Sequence, residues 1–182
     1  MARGRSVRAG IAALVGVGAM LAATGCSTAA KSKKPPPDLC ALVSSPALAQ
    51  FTGDDTPLHR SQYQKLTSKA DCGAESDAGA LVIELERHGD TEKTKGGKWA
   101  QRGYQSAKDA ESWTFRCTPT VSPRLGKNSS ECVSDERFRL LVRKDKDLLS
   151  FTVTGELAAR PDTAEVVRGY ADQVLQGLTA KK

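Results

Sequence analysis

Cysteine is the residue type whose number and placement carry the most chemistry in this 182-residue chain. There are five: Cys26, Cys40, Cys72, Cys117 and Cys132. The last four lie beyond an apparent export signal, and an even set in an exported domain points to two disulfides. Three pairings are open; Cys40–Cys72 with Cys117–Cys132 joins neighbouring segments and is the favoured one. No Cys-x-x-Cys occurs, and neither His59 nor His88 has a second ligand at metal-site spacing. Structural staples are therefore expected, with no metal and no cofactor.

Cys26 is different. Arg3, Arg5 and Arg8 open the chain, residues 9–25 carry no charge, and Ala23-Thr24-Gly25 directly precede the thiol. A basic start, an apolar middle and small residues at a cut point describe an export signal. The cysteine after them resembles the bacterial lipobox, which implies a diacylglyceryl group on Cys26 and cleavage just before it. Two or more acyl chains hold a protein stably at a bilayer without spanning it. Residues 27–37, STAAKSKKPPP, read as a solvated tether stiffened by Pro35-Pro36-Pro37. The expected layout is a signal peptide over 1–25, the lipidated cysteine and tether over 26–37, and one domain over 38–182. The membrane is then a partner through the lipid, and the domain faces outward from the cytoplasmic membrane.

Other chemistry is thin. There is no Gly-x-Ser-x-Gly, Ser-x-x-Lys or His-Glu-x-x-His, so no catalytic residue is assigned. Glu84 and Glu86 share one face of an expected strand and are the acids an envelope enzyme would most readily use. Trp99, Phe115 and Phe151 would have to line a cavity if the domain carried an apolar ligand; Trp99 and Trp113 could line a ligand groove, with core as the commoner role for both. Asn128-Ser129-Ser130 matches a glycosylation sequon that has no default meaning in an exported bacterial protein. Arg137, Arg139 and Arg143 alternate along a strand and form a candidate anion-binding face. The competing expectation is cross-strand pairing of these arginines with Glu84 and Glu86.

The net charge of +6 does not argue for nucleic acid. Six basic residues sit in the leader and tether, leaving 21 basic against 21 acidic residues in 38–182. A nucleic-acid surface needs concentrated cations, and none is expected.

The elements that would position these residues follow from hydrophobic period. Residues 38–53 read as a helix, with Ser45 as cap, Pro46 in the first turn and Gly53 as its end. Residues 60–66 read as an edge strand, and 81–87 as a clearer one with Leu81, Ile83 and Leu85 on one face. Gly96-Gly97 read as a break before a helix over 98–108. Trp113, Phe115 and Cys117 alternate like a strand, and 118–130 reads as a loop. Phe138, Leu140 and Val142, then Leu149, Phe151 and Val153, describe a hairpin. A closing helix follows Pro161, with Asp162 to Glu165 in capping-box form and Val167, Tyr170, Val174 and Leu178 as its stripe. The sum is an α+β domain: an antiparallel sheet packed by N- and C-terminal helices and stapled by two disulfides.

With the lipobox and the Lys/Pro tether, Asp38-Leu39-Cys40-Ala41-Leu42 and Asp71-Cys72 make the chain resemble small actinobacterial secreted lipoproteins of unknown function. The resemblance implies a disulfide-bearing α+β domain at the cell surface and transfers no catalytic residue. The expected function is a non-enzymatic module that binds a small-molecule ligand or a protein partner. A cell-envelope enzyme and an apolar-ligand carrier are the alternatives.

Overall fold

The computed structural model describes residues 38–43, 45–53, 68–90, 94–114 and 116–180. Its centre is a five-stranded antiparallel sheet in the order β1-β2-β5-β4-β3. The strands are β1 (Ser68–Ser76), β2 (Gly79–Arg87), β3 (Ser129–Ser134), β4 (Arg137–Lys144) and β5 (Asp147–Gly155). Among the described residues four helices accompany them: α1 (Ser45–Thr52), α2 (Gly96–Thr114), α3 (Glu156–Ala159) and α4 (Thr163–Ala180). The architecture is α+β.

Register explains the core. Leu81, Ile83 and Leu85 of β2 stand opposite Val153, Phe151 and Leu149 of β5, which in turn oppose Phe138, Leu140 and Val142 of β4. Because side chains alternate along a strand, these nine residues share one face. On that face they pack with Leu48 and Phe51 of α1, Leu157 of α3, and Val167, Tyr170, Ala171 and Val174 of α4. Both expected flanking helices lie on it. The opposite face carries α2, which packs on β4 and β5.

Two disulfides are formed, Cys40–Cys72 with Cα atoms 5.2 Å apart and Cys117–Cys132 at 5.7 Å. Cys72 belongs to the core face of β1, so the first bridge ties residues 38–43 to the sheet.

Several expectations need correction. The first helix spans only Ser45–Thr52. Upstream, Asp38 Oδ1 accepts from Cys40 N (3.0 Å) and Leu39 O from Leu42 N (3.0 Å), turns that compete with a helix. Gly53 does end it, at φ +84°. Trp113 is not in a strand, because α2 continues to Thr114. Buried Ala100, Tyr104 and Glu111 keep the helical spacing that the local alternation of Trp113 and Cys117 obscures. Gly96-Gly97 open that helix instead of breaking the chain before it. A Cβ on Gly96 would lie 2.2 Å from the His88 carbonyl, so the helix starts where only glycine fits. The strand expected over 60–66 lies outside the described residues, as do residues 1–37, Phe115 and His59; the edge strands of the described sheet are β1 and β3. The loop over 118–130 holds a short 3-10 turn, Gly126–Asn128, and a bridge from Thr120 to Glu131.

Candidate functional site

Three separated segments converge on an open groove of about 740 Å³ at one end of the sheet. Thr114 closes α2, Ser134, Asp135, Glu136 and Arg137 form the β3–β4 turn, Thr154 and Gly155 end β5, and Glu156 and Ala159 belong to α3. Gly155 fixes how the last segments meet. Its φ of +72° lets β5 swing into α3, and its N–H donates to Glu136 O (3.2 Å), joining two walls of the groove. Asp135 and Glu136 are solvent-exposed at the turn, and Arg137 and Glu156 line the same groove.

One turn back along α2 from Thr114, Glu111 is fully buried on the sheet. Its Oε1 lies 3.7 Å from Arg139 Nε, and the buried Ser130 hydroxyl is its neighbouring hydrogen-bond donor. Burial pushes this carboxyl up to about 7, against the pull of Arg139, Ser130 and Lys108 toward the ionised form. The Cys117–Cys132 disulfide closes the same corner, with Cys117 Sγ 3.9 Å from Glu111 O.

The three arginines of the candidate anion face do share one side of β4, at Arg137, Arg139 and Arg143. They do not form a common pocket. Arg137 lines the groove, Arg139 faces Glu111, and Arg143 Nη2 donates to Asn128 Oδ1 at 2.7 Å. Glu84 and Glu86 are not their cross-strand neighbours, because β5 stands between β2 and β4. Glu84 Oε2 instead accepts from Ser150 Oγ (2.8 Å), while Glu86 Oε1 meets Lys69 Nζ (3.6 Å) and His88 Nε2 (3.2 Å).

The aromatic residues considered for an apolar cavity are also dispersed. Phe151 lies in the core beneath α4, and Trp99 of α2 stacks on the His88 ring with 15° between planes. Cys26 lies outside the described residues. Among the described residues no group of three His, Cys, Asp or Glu side chains is placed to hold a metal ion. No described helix is long and apolar enough to cross a membrane.

Glu111 was missed because the expected helix ended at residue 108, three residues short of it, whereas α2 runs to Thr114. Its signal was position: it sits seven residues after Tyr104 and eleven after Ala100, on the stripe that faces the sheet. The groove has no local signal, since its walls come from three parts of the chain. No protein-family model matches the chain, and no curated protein is similar to it in sequence.

Proposed function

We propose that this chain is a lipid-anchored, non-enzymatic binding module of the bacterial cell envelope, held at the membrane by Cys26, whose groove takes a small polar ligand with a cationic group. The groove carries the reading: about 740 Å³ of open space walled by Asp135, Glu136, Glu156 and Arg137 on a disulfide-stapled sheet. That volume is in the range of small-ligand sites. Three acidic residues and one arginine along the same walls suit an ammonium together with an anionic group, the charge pattern of an amino acid or a peptide end.

Two measurements test it. Cys26→Ser moves the chain out of the membrane fraction and removes the acyl mass from the mature N-terminus; unchanged membrane attachment overturns the anchor. Amide NMR of the isotope-labelled full chain in detergent, titrated with L-lysine to millimolar concentration, shifts residues 134–137 and 154–156 and leaves β2 unmoved. Shifts that are absent, or scattered over the sheet, overturn the groove.

A further inference from the structure

The last turns of α2 hold two features that belong to one device. Thr114 walls the groove, and Glu111, three residues earlier, is enclosed between the helix and the β3–β4 face. Glu111 is fully buried, and a carboxylate there is disfavoured when ionised unless its donors repay its desolvation, whereas a protonated one is tolerated; its neighbours are the Ser130 hydroxyl and the Arg139 guanidinium. The 3.7 Å ion pair with Arg139 is longer than a hydrogen bond and repays only part of that desolvation.

We infer that Glu111 is a proton-operated latch on the groove: neutral, it lets the end of α2 lie on the sheet, and ionised, it draws that turn and the Thr114 wall away. The latch belongs to the α2–sheet interface; its effect on ligand rests on the groove reading above.

The surroundings bear on the sign. On α2 itself the titratable neighbours are Tyr104 and Lys108, and β4 presents Arg139 and Arg143 to this cluster; β3 adds the buried Ser130 hydroxyl. Arg139, Ser130 and Lys108 favour ionised Glu111, and burial outweighs them. A carboxyl raised from the ordinary range to about 7 keeps its proton in the seated form after the opened form has lost it. Seating is therefore strongest in acid, weakens as pH rises through that window, and changes no further above it.

Hydrogen exchange on the full chain tests this. After correction for intrinsic rates, amides of residues 108–114 lose protection about tenfold between roughly pH 6 and pH 8, while β4 amides do not. Glu111→Gln, which mimics the neutral carboxyl, removes that difference. Equal protection at both pH values in the native chain overturns the latch, as does an unchanged tenfold loss in E111Q. Should E111Q fail to fold, the carboxyl carbon of Glu111 is titrated by NMR in the native chain. A midpoint near 7 supports the latch, and one in the ordinary glutamate range overturns it. The lysine titration is read separately: pH-dependent opening of α2 without groove shifts keeps the latch and removes the groove reading, and groove shifts on a pH-insensitive α2 do the reverse.

Discussion

Arg168 of α4 grips Glu131 of β3 through two hydrogen bonds, Nε to Oε1 at 2.7 Å and Nη2 to Oε2 at 2.6 Å. The Glu131 side chain is 5% exposed, and this pairing ties the closing helix to a strand near the sheet edge. Removing the guanidinium leaves a buried carboxylate without its main donor. Arg168→Ala should cost about 2–4 kcal/mol at neutral pH, read from urea unfolding.

The same pair sets an acid limit. Burial opposes ionisation of Glu131, but the hydrogen bonds from Arg168 and Ser122 and the charge of Arg168 prevail, and its pKa is lowered. A lowered carboxyl contributes stability that is complete above the ordinary glutamate value and disappears as pH falls through the folded one. Native stability should therefore drop below about pH 4.3. R168A should show a shallower acid decline over that window, checked by urea midpoints at stepped pH.

Gly79 and Gly155 face each other across β2 and β5, and both have positive φ, +139° and +72°. A Cβ on Gly79 would lie 2.0 Å from the Thr154 carbonyl. Gly79→Ala should destabilise by about 2–3 kcal/mol, the sum of backbone strain and a displaced strand end. Gly169, inside α4 with nothing within 4 Å of an added Cβ, is the control. Gly169→Ala should stabilise by about 0.5–1 kcal/mol through helix propensity. Thermal unfolding of the two variants separates the effects by sign.

Much of this fold was legible because burial follows period. Leu81, Ile83 and Leu85, and the paired rows of β4 and β5, alternate cleanly between core and second face. Val167, Tyr170, Val174 and Leu178 likewise form one buried stripe. The edge strand β1 was not legible. Its core-facing residues are Ala70, Cys72 and Ala74, too small to raise a hydrophobic contrast, and the disulfide does part of the anchoring a larger side chain would do. The end of α2 was misread because a two-residue alternation over Trp113 and Cys117 masked the longer period through Tyr104 and Glu111. For the site, only Arg137 stood out beforehand. Its companions Asp135 and Glu136 are ordinary turn residues until the β5–α3 junction is set beside them.

Tyr170 joins α4 to α1 by donating its hydroxyl to Ala47 O at 2.7 Å. Burial pushes its phenol up to about 12, only partly offset by Arg160. Tyr170→Phe should cost about 1–2 kcal/mol, because the hydroxyl's hydrogen bond goes and the Ala47 carbonyl loses that donor. A raised phenol contributes stability that is present below its ordinary value and lost as pH climbs toward the folded one. Ultraviolet titration of the native chain should show late ionisation of a tyrosine that is missing in Y170F.

The two disulfides should differ in worth. Cys40–Cys72 spans 32 residues and enters the core, whereas Cys117–Cys132 spans 15 and closes the corner beside Glu111. Chain entropy alone assigns about 3.7 kcal/mol to the longer loop and about 3.0 kcal/mol to the shorter. Packing widens the gap, since Cys72 is fully buried opposite Ile83 and its removal leaves a void in the core. The double variant Cys40→Ala with Cys72→Ala should therefore lose more stability than Cys117→Ala with Cys132→Ala, by about 1 kcal/mol or more. The second pair should instead loosen the end of α2 selectively. Urea midpoints rank the two losses, and hydrogen exchange over residues 108–114 locates the second. Equal midpoints, or loosening spread evenly over the sheet, would show that the bridges act only as chain constraints and that their positions in the packing do not matter.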